Sequence, residues 1–148
     1  MGLTVETLTI RNFSDLGRAR AGNLPPEEIR QITVTALVDT GATFVGLYQA
    51  HIDALGLIPD DRTHPIRTAN GVVHQVKYGG AQLELLGRKG SVDIFPVDES
   101  IPPILGVLLL EALDLVVDPV NQRVIFNPEH GEEETHLLLH QTVAGGRM

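Results

Sequence analysis

The sequence contains no cysteine and no tryptophan among its 148 residues. The absence of cysteine excludes disulfide bonds, thiolate zinc sites, iron–sulfur clusters and a cysteine nucleophile. Aromatic residues make up only 4%, which disfavours the stacking platforms that bind single-stranded nucleic acids. Basic residues are also few, since 11 of them against 19 acidic residues leave a net charge of −8. A phosphate backbone needs clustered positive charge, so we expect no nucleic-acid partner.

Long apolar runs are missing as well. The longest, residues 101–110, contains two prolines and ends at Glu111, whereas a membrane-spanning helix needs roughly 20 apolar residues. The first residues lack the basic stretch and apolar run of a secretory signal. We therefore expect a soluble, cytoplasmic protein without a membrane partner.

Short apolar runs between frequent turns predict a mainly β domain of barrel type. The predicted strands are 3–10, 31–38, a hairpin over 66–78, 81–86, 91–97, 115–117 and 123–126. Two short helices are predicted at 48–55 and 107–113, and a loop at 13–28. In the first strand, Leu3 and Val5 alternate out of phase with Leu8 and Ile10, which predicts a β-bulge or a twist near Glu6-Thr7.

The end of the chain differs in composition from the rest. Residues 129–148 are polar and acidic apart from Leu137-Leu138-Leu139. We predict one domain over residues 1–128 and a polar tail or dimer arm over 129–148. His136 and His140 in this tail have the spacing of two ligands on one helical face. No general base accompanies them, so we predict no metal site.

One short segment stands out as a candidate for chemistry, Leu37-Val38-Asp39-Thr40-Gly41-Ala42. Asp39 directly follows a strongly apolar strand, where a carboxylate costs several kcal/mol unless its charge is shared or satisfied. Thr40 offers a hydroxyl to hold the loop, and Gly41 permits close backbone approach. The alternative is an ordinary Asp-Thr-Gly turn with no function.

Two further motifs follow this segment along the chain. Thr68-Ala69-Asn70-Gly71-Val72 lies in the predicted hairpin with Asn70-Gly71 as its turn, and Ile104-Leu105-Gly106 precedes a predicted helix. Together with residues 37–42 they resemble the retropepsin-type aspartic protease family, single-domain relatives of pepsin that include retroviral proteases. The resemblance spans residues 31–128, and residues 104–128 look especially like bacterial members.

This resemblance implies a closed β-barrel of the acid-protease type with two short helices and one lobe per chain. It implies an aspartic endopeptidase that needs no metal or organic cofactor and acts on extended peptide or protein substrates. The implied residues are catalytic Asp39; Thr40, Gly41 and Ala42 in support of the active-site loop; Ala69, Asn70, Gly71 and Val72 in a flap over the substrate; and structural Ile104, Leu105 and Gly106.

Such an enzyme uses two aspartates, yet this chain has a single Asp-[Thr/Ser]-Gly. The resemblance therefore implies a homodimer in which each subunit lends one Asp39 across a two-fold axis. Two carboxylates about 4 Å apart repel by roughly 4 kcal/mol at an effective dielectric constant near 20. The pair must then titrate together and retain one proton in the active form.

Two other functions remain open at this stage. The first is a dimeric module of the same fold that binds peptide or protein but cleaves little, since a flap with only Gly71 at its tip departs from the glycine-rich retroviral pattern. The second is a small β-barrel binding domain with an incidental Asp-Thr-Gly turn. Cleavage that depends on Asp39 distinguishes the enzyme from both.

Overall fold

The structure is a computed structural model, and it describes residues 3–138 of the chain. The strands in this part are β1 Val5–Asn12, β2 Gln31–Asp39, β3 Val45–Leu47, β4 Ile58–Thr68, β5 Gly71–Leu85, β6 Arg88–Pro96, β7 Ile104–Gly106, β8 Leu115–Asp118 and β9 Arg123–Phe126. The helices are α1 Phe13–Arg20, α2 Gln49–Leu55 and α3 Val107–Ala112, with a 3-10 turn at Pro26–Glu28. None of these helices is long and apolar enough to cross a membrane.

Six strands close a barrel in the order β1-β2-β7-β3-β6-β5, because β5 also pairs with β1. Strand β4 pairs with β5 outside this ring, and β8 and β9 form a separate two-stranded sheet. The predicted mainly β, barrel-like architecture is confirmed. Its interior is filled by aliphatic side chains that alternate along the strands: Leu8, Ile10, Ala36, Leu83, Leu85, Ile94 and Leu105 are each at most 1% exposed.

Strand β1 runs without the bulge that the sequence pattern predicted. Its register with β2 is continuous from the Val5–Leu37 pair to the Arg11–Gln31 pair. Successive side chains therefore alternate strictly between the two faces. Leu8 lies inside the barrel, while Leu3 and Val5 lie on the opposite face and are 72% and 51% exposed.

Helix α1 was not predicted. It occupies Phe13–Arg20, within residues 13–28, for which the sequence predicts a loop, and that prediction is wrong there. The side chain of Asn12 caps this helix by accepting a hydrogen bond from the Asp15 backbone N–H at 2.9 Å. The Asp15 carboxylate in turn forms a two-pronged ion pair with Arg30, at 2.8 and 3.0 Å. Gly17 weakened the helical signal, and the tertiary pair with Arg30 offsets that weakness.

The long hairpin of β4 and β5 is the predicted hairpin in extended form, but its turn lies one residue earlier than predicted. Ala69 and Asn70 form the turn, and Gly71, with a φ of +120°, already pairs with Thr68 in the ladder. Asn70 is not among the residues with a positive φ, and its backbone N–H donates to the Thr68 hydroxyl at 3.2 Å.

The beginning of the predicted tail is attached to the barrel domain. Residues 129–138 have no helix or strand, but the Thr135 N–H donates to the Asp114 carboxylate at 3.0 Å and Arg88 donates to the Gly131 carbonyl at 3.3 Å. Of the predicted dimer arm, Leu137 and Leu138 are exposed. Leu139 and His140 lie outside the described residues.

Candidate active site

Asp39 is the last residue of β2, and its position is set by the strands on either side. Strand β2 pairs in parallel with β7, which places Asp39 beside Gly106 at the same end of the barrel. On the other side, the Val38 N–H donates to the Thr4 carbonyl at 2.8 Å. Since β1 and β2 are antiparallel, the next pair along places Leu3 beside Asp39. The Asp39 carboxylate therefore lies at the rim of the barrel where β2 and β7 end and β1 begins.

The segment that follows, residues 39–44, is called the Asp39 loop below. It is held by its own backbone, since the Ala42 N–H donates to the Asp39 carbonyl at 3.0 Å. The Val107 N–H donates to the Ala42 carbonyl at 3.0 Å and joins the loop to the start of α3. Thr40 and Gly41 are exposed, whereas Ala42 is half-buried. The loop thus presents Asp39 on a rigid backbone turn.

Gly106 is the residue over which the Asp39 loop crosses. A Cβ atom at Gly106 would lie 2.5 Å from the Phe44 carbonyl oxygen, 2.7 Å from the Phe44 nitrogen and 2.9 Å from the Ala42 carbonyl oxygen. Its φ of −80° suits any residue, so space alone requires glycine here. The preceding Ile104 and Leu105 are buried. The Asp39 motif and the Ile-Leu-Gly motif, 67 positions apart along the chain (106 − 39), therefore form one unit.

The Asp39 side chain is half-buried and has few hydrogen-bond partners. Its Oδ1 accepts the Gly41 backbone N–H at 2.9 Å, and within residues 3–138 no other donor reaches either carboxylate oxygen. A carboxylate has about four acceptor positions. Oδ2 is consequently free to bind a water molecule, a substrate or a second carboxyl group.

Two exposed leucines belong to the parts of the chain that adjoin β2 and the Asp39 loop. Leu3 lies on the β1 side at 72% exposure, and Leu108 follows Gly106 closely on α3 at 53% exposure. Surface leucines occur singly on many proteins. Here one of them precedes β1, which pairs with β2, and the other lies on α3, which the Val107 N–H joins to the Asp39 loop. The sequence did not predict a role for Leu108.

The flap, defined here as the hairpin of residues 58–80, extends away from the barrel. Its tip, residues 69–72, is exposed, and in the described part of the chain no hydrogen bond joins this tip to the Asp39 loop. The structure therefore unites Asp39 with the Ile104–Gly106 strand but leaves the predicted flap residues separate from both. Ile66 and Val73 are directly paired and share one face of the hairpin.

The two concavities given by the surface of residues 3–138 lie away from Asp39. Two shallow concavities of about 370 and 320 Å³ lie at the base of the flap, around Gly80 and Asp93, and Asp39 lines neither of them. Within residues 3–138 no three His, Asp or Glu side chains cluster as metal ligands.

The chain matches one protein-family model and is similar to solved structures. The family model described as "Aspartyl protease" matches residues 26–109, which is more than half of the chain and includes Asp39, the flap and Gly106. No curated protein matches significantly. Among solved structures the chain is similar to the EIAV protease complexed with the inhibitor HBY-793. That similarity has 24% identity over 55% of this chain and 77% of the other, with a TM-score of 0.47.

Proposed function

This chain belongs to the aspartyl protease family, and from that premise we propose that it is a homodimeric aspartic endopeptidase of the retropepsin type. Its substrates are extended, mainly apolar peptide segments, and it acts without a metal or an organic cofactor. The two catalytic groups are Asp39 and the same residue of a second copy. The family supports the reaction class, and the geometry around Asp39 supports the dimer.

The observation that carries this proposal is the incomplete site at the barrel rim. One chain supplies one Asp-Thr-Gly, one carboxylate that accepts only the Gly41 N–H within residues 3–138, and exposed Leu3 and Leu108 on the neighbouring parts of the chain. A second copy, related by a two-fold axis through this rim, covers the leucines and brings a second carboxylate to the first. Burying apolar surface contributes about 25 cal/mol per Å² before the cost of association.

The chemistry follows from two carboxyl groups that share one proton. The ionised group removes a proton from the bound water as its oxygen attacks the scissile carbonyl carbon, while the protonated group donates to the carbonyl oxygen. The tetrahedral diol then collapses: the C–N bond breaks, the leaving nitrogen takes a proton, and the dyad again holds one proton. The two products, a carboxylic acid and an amine, together contain all the atoms of the peptide and of the water molecule.

The other predicted residues act around this centre. The Thr40 hydroxyl exchanges hydrogen bonds with the second subunit beneath the dyad, and the exposed backbone of Gly41 and Ala42 pairs with the extended substrate. The flap, with Ala69, Asn70, Gly71 and Val72 at its tip, closes over the peptide and excludes water. Each of these roles requires the dimer, because the flap tip makes no hydrogen bond to the Asp39 loop within the described chain.

The decisive experiment is cleavage of a diverse peptide mixture by the wild-type protein and by Asp39→Asn. We expect the substitution to lower the rate by about a thousandfold or more, because it removes the group that accepts the proton from water. The dimer is expected to persist in sedimentation, and to tighten, because the substitution removes the like-charge repulsion. A statine-containing peptide should inhibit the wild type.

The possible results separate the three functions. Full cleavage by Asp39→Asn contradicts the enzyme proposal. Binding of the statine peptide by a dimer that cleaves nothing identifies the peptide-binding module instead. A monomer at micromolar concentration that neither binds nor cleaves identifies the incidental turn. The variant must show wild-type circular dichroism for these outcomes to count.

The pH dependence provides a second test of the shared proton. Activity is expected to fall as alkali removes that proton, because the group that donates to the carbonyl oxygen is then lost. The measurement is kcat/KM for one cleaved peptide from acid to pH 9. A rate that stays constant up to pH 9 contradicts a mechanism with a monoprotonated dyad.

A further inference from the structure

The base of the flap contains an irregularity in each of its two strands. In β4 the pairing with β5 shifts register between Pro59 and Thr63. In β5 the pairing with β6 shifts between Tyr78 and Ala81, at Gly79 and Gly80, and Gly80 has a φ of +86°. Pro59 and Tyr78 are directly opposite each other, so both irregularities lie at one level. Interrupted pairing at one level in both strands is where a hairpin bends most easily.

A side-chain pair bridges the irregular part of β4. Oδ2 of Asp60 lies 2.7 Å from Nε2 of His64, and Oδ1 of Asp60 accepts the Asp61 backbone N–H at 2.7 Å. The hydrogen bond with His64, followed by the one from Asp61, lowers the pKa of Asp60 to about 2. The Asp60 carboxylate thus bonds to Asp61 within the irregular part of β4 and to His64 just beyond it.

The His64 ring also leads from the flap to the Asp39 loop. It packs edge-to-face on Phe95 of β6, with ring centres 6.0 Å apart. Phe95 packs in the same manner on Phe44, at 5.2 Å. Phe44 is the last residue of the Asp39 loop, and its backbone is the part that crosses Gly106. The rings of His64, Phe95 and Phe44 therefore connect the base of the flap with the Asp39 loop.

We propose that the Asp60–His64 pair is a positioning device that fixes the angle of the flap relative to the Asp39 loop. This proposal rests on the proposed function for its consequence in catalysis, though not for its structural content. His64, Ile66 and Val73 share one face of the hairpin by their register. The face that is anchored on Phe95 at the base is therefore the face that carries Ile66 and Val73 near the tip.

The test uses hydrogen exchange of the flap amides, residues 66–73, in the full-length protein without ligand. We expect His64→Ala to speed exchange there by about fivefold, because it removes both the hydrogen bond and the ring contact. His64→Phe keeps the ring and should lie between His64→Ala and the wild type. Asp60→Asn should remain within about twofold of the wild type, since an amide can accept from Asp61 and donate to His64.

A matched control is the Arg11–Glu84 pair on the barrel wall. Its atoms are 2.6 Å apart and its side chains are 22% and 27% exposed, close to the 20% and 31% of His64 and Asp60. Glu84→Ala should leave flap exchange within about twofold of the wild type. Unchanged flap exchange in His64→Ala, or an equal increase throughout the barrel, overturns the proposal.

Kinetics then distinguish positioning from general stability. A looser flap weakens contacts made equally in the ground state and the transition state, so His64→Ala should raise KM about fivefold with kcat nearly unchanged. A loss confined to kcat overturns the positioning role. If the wild type cleaves no peptide, the proposed function fails, whereas the exchange experiment still decides whether His64 fixes the flap.

Discussion

Two aspartates of this protein, Asp39 and Asp114, follow apolar segments and are held in opposite ways. The Asp114 side chain is 7% exposed and accepts hydrogen bonds from the Thr135 N–H, the Asn127 amide and Nδ1 of His130, at 3.0, 3.0 and 2.8 Å. Within residues 3–138 the Asp39 carboxylate accepts one, from Gly41. A carboxylate whose acceptor positions are occupied serves the fold, whereas one that keeps a free oxygen at a rim is available for chemistry.

The surroundings of Asp114 show how a buried charge is satisfied. Burial would raise its pKa, but the hydrogen bonds from Thr135, Asn127 and His130 outweigh burial and the pKa is lowered. Its backbone has a φ of +58°, and its carbonyl accepts from Arg88 at 2.8 Å. This corner joins residues 127–135 to the barrel. At Asp39 the loop is held by backbone contacts instead, and within residues 3–138 the side chain accepts only the Gly41 N–H.

The largest expected effect comes from Gly106→Ala, which disrupts the close crossing of the Asp39 loop over Gly106. The new methyl group would collide with the backbone of Phe44 and Ala42, atoms that cannot rotate away. We expect a loss of about 3 kcal/mol in the free energy of unfolding and the loss of peptide cleavage. Chemical denaturation and the peptide assay measure the two effects.

Gly17→Ala is the matched control for that substitution. Gly17 is exposed in α1, and nothing lies within 4 Å of an added Cβ. The same change should therefore stabilise the protein by up to about 1 kcal/mol, because alanine favours a helix. Equal stability changes in the two variants would contradict the close crossing at Gly106.

A smaller effect is expected from Asp114→Asn, which tests the contrast between the two aspartates. Asparagine tolerates the positive φ but replaces one acceptor oxygen with an amide group, so one of the three donors loses its partner. We expect the melting temperature to fall by about 5 °C while cleavage per folded molecule is unchanged. Asp39→Asn should do the reverse, and a fall in melting temperature of similar size in both would remove the distinction.

The smallest effect concerns Asp15 and appears only in acid. The ion pair with Arg30 lowers the pKa of Asp15 from 3.8 to about 2. The unfolded chain therefore takes up a proton before the folded chain does, so this stabilisation is complete above about pH 5 and is lost as the pH falls toward 2. Since half of Arg30 is exposed, we expect about 1 kcal/mol.

Denaturation midpoints at pH 7, 4 and 2.5 measure that contribution. Asp15→Asn should be less stable than the wild type at pH 7, and the difference should shrink at pH 2.5. A difference that stays constant across these pH values would show that the pair contributes packing rather than charge.

Part of the molecule was predictable because its signals are local. Alternating apolar residues predict strands wherever they occur, and the Asp-Thr-Gly and Ile-Leu-Gly motifs are short stretches with a recognisable pattern. The same local reading missed α1, although Asn12 followed three residues later by Asp15 is a usable capping signal. The turn lies one residue earlier than Asn70-Gly71 predicts, because Gly71 already pairs with Thr68 in the ladder.

The sequence by itself determined the family motif, the mainly β character and the single carboxylate that the chemistry needs, because each depends on residues adjacent along the chain. Only the tertiary structure decided that Gly106 lies beneath Phe44, that Asp39 pairs with Gly106, and that Asp114 anchors the start of the tail. Those contacts join residues far apart in the sequence. Strand order and register create them, and both result from packing the whole barrel at once rather than from any local preference.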